Sequence, residues 1–349
     1  MSEILGVGIT HYPGLIPRLA RPGSLRNLLQ DPGLPERYRT PDGWPGSMRR
    51  EWAGDEGAAF AERHRQAVKA EILKARAALD AFGPDFVVVW GDDQHENFHD
   101  DVIPGFCVLA YDAVEVQPWA RPGAPPNVWG EAADTTFRIR GHREGAKYLT
   151  SRLIEQHFDM AYSYRPLHAP LGHAFTNSML YLDWDRRGFD YPMVPFSVNC
   201  YGRRVIATRG YMESLAKPVA EADFDPPSPS PARCFDLGAA CVRALRESPW
   251  RVALVASASW SHAFLTRKHW YLYPDTPADR ILFDALVRGD YAAWRATSLA
   301  QVEDSGQHEL LNWFCLAGAM AELGRAPDRA VFIESSIMNS NKVVALFRG

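Results

Sequence analysis

Phe86-Val87-Val88-Val89-Trp90-Gly91-Asp92-Asp93-Gln94-His95 is the stretch that decides how this chain folds. Its apolar half is rich in β-branched valine and shows no polar alternation, which describes a strand buried on both faces, as in parallel sheets. Its polar tail marks the strand's carboxyl end, where open α/β sheets collect ligands and chemistry. Two other runs repeat the design: Ile4-Leu5-Gly6-Val7-Gly8-Ile9-Thr10 leads to His11, and Val252 to Ser261 leads to His262. Three imidazoles at three strand ends point to a metal or an acid/base site.

Outward from these runs, Phe60, Val68, Ile72, Leu73 and Leu79 recur at helical spacing among charges over residues 57–82, and Gly83-Pro84 ends the pattern. A strand-helix-strand crossover therefore connects the His11 and His95 runs. The patterns predict further helices over 143–157, 233–247 and 277–323, with strands at 159–164, 191–199, 331–334 and 343–347. Strands alternating with helices predict an α/β fold. It is expected as a single domain over 1–349, with a mixed central sheet flanked by helices and the active site at strand carboxyl ends. Residues 13–56 are punctuated by turn signals such as Asp31-Pro32-Gly33 and Thr40-Pro41-Asp42-Gly43 but carry Tyr38, Trp44, Met48 and Trp52, so they read as an ordered cover.

At 349 residues and 46% hydrophobic, the chain can bury a large core. Lys+Arg 38 against Asp+Glu 42, with no basic block, argues against nucleic acid and anionic membranes as partners. No apolar run approaches the ~18 residues of a membrane span. Five cysteines without CxxC spacing, and a Met1-Ser2-Glu3 start without a basic leader, predict a cytoplasmic protein.

His11 and His95 are the metal candidates, since a neutral imidazole at a rigid strand end is well aimed. Asp92, Asp93 and Glu96 crowd His95, as supports for its ring, as ligands themselves, or as a solvated loop. A ferrous centre calls for a carboxylate to complete two histidines. Glu309, in Gln307-His308-Glu309-Leu310-Leu311-Asn312-Trp313, is the choice, against the plainer reading that it satisfies a helix N-terminus. His168, His173 and His262 are acid/base candidates or hydrogen-bonded structural histidines. No GxSxG elbow, phosphate loop or HExxH helix occurs, and Gly6-Val7-Gly8 is too short for a dinucleotide fingerprint.

Taken in order, Gly8-Ile9-Thr10-His11-Tyr12-Pro13, Trp90 to Phe98, Gly172-His173-Ala174-Phe175-Thr176, Pro195 to Asn199, Arg233 to Gly238, Ser261-His262 and His308 to Trp313 resemble the class III extradiol ring-cleavage dioxygenases, of the protocatechuate 4,5-dioxygenase β-subunit type. The resemblance implies Fe(II) held by His11, His95 and Glu309, with a catechol-type diol and O2 as substrates. It implies that His262 takes a phenolic proton and that His173 hydrogen-bonds bound oxygen, with His168, Asp93 and Asn199 as substrate or supporting residues. In the type compared, a separate small subunit covers the site; here residues 13–56 would do so, and a homo-oligomer is expected. The alternatives are a zinc-dependent hydrolase on the same scaffold and a non-catalytic binding relative.

Overall fold

The computed structural model describes residues 3–120 and 123–349. Met1, Ser2, Arg121 and Pro122 lie outside the described residues, and with them the start of the leader reading and the first positions of the expected 1–349 domain. In strand β1 (Ile4–Ile9), Leu5, Val7 and Ile9 enter one core cluster, while the alternate positions include Gly6 and Gly8. A Cβ on Gly8 would lie 2.2 Å from the Trp313 ring, and one on Gly6 2.6 Å from Met320 Sδ. The bare face of β1 thus lets the helix carrying Trp313 and Met320 lie directly on the strand.

The remaining strands are β2 (Phe86–Gly91), β3 (Phe106–Leu109), β4 (Ala113–Val116), β5 (Phe137–Arg140), β6 (Ala161–Ser163), β7 (Met193–Val198), β8 (Val252–Ser257), β9 (Arg329–Ile333) and β10 (Lys342–Phe347). Eight of them form one sheet in the order β6-β3-β7-β2-β8-β1-β10-β9, and β4 and β5 form a separate ribbon. The central strands β7, β2, β8 and β1 are mutually parallel, with Val88 paired to Val194 on one side and Leu254 on the other. β3 and β10 run antiparallel to this core, which makes the sheet mixed, as expected. The crossover from β1 to β2 lands one position further than adjacency, because β8 inserts between them.

The longer helices are α1 (Ala58–Phe82), α2 (Arg143–Glu155), α3 (His173–Leu182), α4 (Pro231–Arg246), α5 (Thr276–Arg288) and α6 (Leu311–Leu323). α1 and α3 cover the face lined by Val87, Val89, Val7 and Val255. α2, α4, α5 and α6 cover the face lined by Val88, Trp90, Phe196 and Leu254. α4 and α6 cross closely because a Cβ on Gly238 would meet the Cys315 carbonyl oxygen at 1.7 Å and one on Gly318 the Phe235 carbonyl oxygen at 1.8 Å.

The helical pattern over 277–323 resolves into several helices: Gly289 and Gly306 adopt left-handed backbone, and Asp290 and Ser298 cap new starts at Tyr291 and Leu299. The His173 loop is itself the first turn of α3, and the four-residue strands β3, β4 and β5 add to the strands expected. Residues 13–56 form short helices between turns, and Leu15, Leu25, Leu28, Trp44, Met48 and Trp52 join the core beneath β1 and α1.

Replacing Gly8 with Val is expected to lower the unfolding free energy in urea by about 2 kcal/mol or more, since the Trp313 ring has nowhere to retreat in a packed core. Gly54→Ala, where an added Cβ meets nothing within 4 Å, serves as the control, with a change within about 0.5 kcal/mol.

Candidate active site

The carboxyl ends of the four parallel strands converge on one buried cluster. β1 delivers His11, β2 delivers Asp92, β7 leads to Tyr201, and β8 leads to Ser259 and His262. α3 brings His173 on its first turn, and a short helical turn before α6 brings Glu309. His11 Nε2 lies 3.3 Å from Glu309 Oε2 and 3.7 Å from Asp92 Oδ1. The His11 and His173 rings meet edge to face at 5.1 Å. Among the described residues, the donor atoms of His11, Asp92 and His173 form a group able to hold a metal ion, all within 4.8 Å of one another.

Each member is held from behind. His11 Nδ1 lies 3.1 Å from Ser257 Oγ, which in turn lies 2.6 Å from Ser178 Oγ. The His11 carbonyl accepts from Asn177 Nδ2, and the Tyr12 carbonyl from the Tyr181 hydroxyl, so α3 fixes the whole turn. Beneath it, the buried Lys342 Nζ lies 3.7 Å from the Tyr12 ring centroid and donates to the carbonyls of Met338 and Ser340. The Tyr201 hydroxyl bridges Glu309 Oε1 at 2.6 Å and Asp92 Oδ2 at 3.0 Å. Asn312 Nδ2 donates to Asp92 Oδ1, and the Ser259 amide donates to Glu309 Oε2.

His262 Nε2 is 3.0 Å from Glu309 Oε1, while its buried Nδ1 has no hydrogen-bond partner among the described residues. His173 is paired through Nδ1 with Glu96 Oε2 at 2.9 Å, and Glu96 also accepts the His173 amide at the start of α3. Burial opposes a charge on His173, but Glu96, Asp92 and Glu309 outweigh it and raise its pKa to about 10. Burial lowers His11 to about 4, leaving it neutral. Burial and Glu309 push Asp92 well up. The same burial is overcome at Glu309 by His262 and His11, which hold it below the usual carboxylate range.

The structure thus assembles His11, His173, His262 and Glu309. It does not bring His95 to them. His95 adopts φ 58, its Nε2 faces Asp100 at 3.6 Å, and its ring sits edge-on to His99. His168 stacks on His99 and pairs with Asp101 in the same partly exposed patch. Asp93 accepts the amides of Glu96, Asn97 and Phe98, and so shapes the turn. Asn199 accepts the Tyr201 amide. Sequence reading gave no role to Tyr201, Asn312 or Asp279. Asp279 accepts from the Ser261 amide and hydroxyl, Gln307 Nε2 and Asn341 Nδ2, tying the His262 loop to the approach to Glu309. The Asn312 signal lay in the quoted Glu309 segment; the other two have none, because their partners are distant in sequence.

Comparison with known proteins follows the same direction. No family model matches the chain. It is 28% identical over 196 residues to a protein of Comamonas testosteroni named 2,3-dihydroxyphenylpropionate/2,3-dihydroxicinnamic acid 1,2-dioxygenase, covering 56% of this chain but only 49% of that relative, about half its length. Proteins of the same name from Burkholderia vietnamiensis and Paraburkholderia phymatum are each 28% identical, over 283 and 276 residues, covering 83% and 80% of those relatives. A name that puts hydroxyls at carbons 2 and 3 and cleavage between carbons 1 and 2 describes ring opening beside the diol. These similarities support the extradiol dioxygenases as the related family, without singling out the protocatechuate 4,5-dioxygenase type.

Two outcomes are expected. Asp279→Ala leaves four donors facing a void and costs about 3 kcal/mol in chemical denaturation. In the metal-free protein, the raised His173 contributes stability that is complete below its unfolded pKa of about 6.5 and is lost as pH rises through about 10. His11 acts oppositely: its contribution is present above about 6.5 and lost as pH falls through about 4. The unfolding free energy should therefore decline from about pH 7 to 10, and His173→Gln should flatten that decline; an unchanged slope contradicts the His173–Glu96 pairing.

Proposed function

We propose that this protein is an Fe(II)-dependent extradiol dioxygenase that opens a catechol-type aromatic ring next to its two hydroxyls, using O2. The observation that carries the reading is the convergence of His11 and Glu309, 3.3 Å apart in a buried site, with His173 and His262 placed on either side. The donor set fits a divalent metal: a neutral imidazole and carboxylates whose other atoms are already hydrogen-bonded. Ferrous iron in such a site, when bound, would hold the diol and O2 side by side and pass electron density between them.

The chain's own residues supply the rest. His262 keeps Nδ1 free of protein partners while Nε2 rests on Glu309, so Nδ1 is the atom that receives a hydroxyl proton from the diol. His173, charged through its pairing with Glu96, is the proton donor on the opposite side. Residues 13–56 are proposed as the cover, supported by their packing beneath β1 next to the His11 turn. The five unpaired, buried cysteines support a reducing cytoplasmic setting. The exposed Tyr162 on edge strand β6, with Tyr164 beside it, supports self-association. No helix among the described residues is long and apolar enough to cross a membrane.

The test is reconstitution with Fe(II) under argon, followed by air and a panel of catechols with and without carboxylate side chains. Oxygen uptake with a yellow ring-opened semialdehyde is expected, and His262→Ala or His173→Ala should retain metal while kcat falls about 10²–10⁴-fold. No oxygen uptake with any diol refutes the reading.

A further inference from the structure

We infer that Asp92, and not His95, is the ligand that β2 contributes to the metal, so that the centre is His11, Asp92 and Glu309, while His173, the other histidine within reach of such an ion, is held to Glu96. This rests on the proposed function only in requiring a divalent metal in the pocket.

Three possible metal ligands, His11 Nε2, Glu309 Oε2 and Asp92 Oδ1, come together there. Ser178 Oγ lies 2.5 Å from the Ala174 carbonyl, which can only accept, so the single Ser178 proton is spent there and Ser257 supplies the proton between the two serines. Ser257 Oγ then accepts from His11 Nδ1–H, which leaves a lone pair on His11 Nε2. That lone pair faces Glu309 Oε2 at 3.3 Å and Asp92 Oδ1 at 3.7 Å. Neighbouring donors on a six-coordinate first-row metal, with bonds of about 2.0–2.2 Å, stand roughly 3 Å apart, so each carboxylate is already within a few tenths of an ångström to about 0.7 Å of that spacing from His11 Nε2. Both carboxylates are buried, and among the described residues no Arg or Lys forms an ion pair with either. The nearest charged group, His173, is already paired with Glu96, and a divalent ion between the two carboxylates lowers the cost of burying them side by side.

His95 is held elsewhere by the turn that begins at Asp93. The Asp93 carboxylate accepts the amides of residues 96–98, which sets residue 95 in left-handed backbone with its ring against His99. Carrying the His95 imidazole inward would break that turn, and the turn places Glu96 on His173. Asp92, one residue beyond β2, needs no such rearrangement. Asn312 Nδ2 donates to its Oδ1, and the Tyr201 hydroxyl, shared with Glu309 Oε1, lies 3.0 Å from its Oδ2.

The test compares wild type, Asp92→Asn and His95→Gln by anaerobic calorimetric titration with Fe(II) and Co(II), with metal content after desalting and circular dichroism to confirm folding. His95→Gln should bind one equivalent within about threefold of wild type. Asp92→Asn should lose more than about 100-fold, beyond the 10–100-fold expected when only a hydrogen-bonding support is removed. Paramagnetically shifted imidazole N–H signals of the Co(II) form give a second readout that does not depend on Asp92→Asn folding. The same number of signals in wild type and His95→Gln supports the assignment, and loss of one overturns it. Metal binding that survives in Asp92→Asn but fails in His95→Gln also overturns it, leaving ring cleavage intact as a function. Metal binding with the expected variant pattern but no turnover of any diol supports the ligand assignment and sinks the function reading. A wild type that binds no divalent metal sinks both.

Discussion

The buried pocket is built around two carboxylates, Asp92 and Glu309, with no Arg or Lys among the described residues in an ion pair with either. In an interior of low dielectric this is an unfavourable state unless donors and a cation answer it. The donors are visible: the Tyr201 hydroxyl bridges the two groups, Asn312 and the Ser259 amide satisfy further lone pairs, and His262 backs Glu309. Nearly every strand end and helix start near the pocket contributes one of them. Sheet topology explains how residues so far apart in sequence meet, since four parallel strands necessarily present their carboxyl ends on one side.

The two histidines flanking this pair are kept in different protonation states by different surroundings. His11, deep in the site and tied to a serine hydroxyl, is neutral. His173, against Glu96, is charged. Two imidazoles whose rings touch are thereby assigned separate duties, one suited to donating a lone pair and the other to donating a proton.

The frame of this arrangement was legible in the sequence where the physical signal is local. Unbroken apolar runs gave β1, β2 and β8, and 3.6-residue spacing with a Gly-Pro stop gave α1. Glu309 and His173 were reachable because each sits where polar residues lead into an apolar helix. What sequence could not give was direction. His95 follows a strand as visibly as His11 does, but an Asp93-centred turn rotates it outward, and such a turn depends on backbone geometry rather than residue type. Tyr201, Asn312 and Asp279 act through partners on other elements, a relation that periodicity does not encode. The breaks at Gly289 and Gly306 were missed because a single glycine is shorter than the window over which pattern is meaningful.

The bare glycine face of β1 and the glycine crossing of α4 with α6 set Trp313, and with it the turn bearing Glu309, on backbone rather than on adjustable side chains. The centre is therefore insulated from the surrounding loops. Exposed loops around the pocket can change in sequence and shape while the spacing of the buried groups stays constant. Diversification of what such a scaffold accepts would proceed at the rim, and a change on the floor of the pocket would abolish rather than redirect the chemistry.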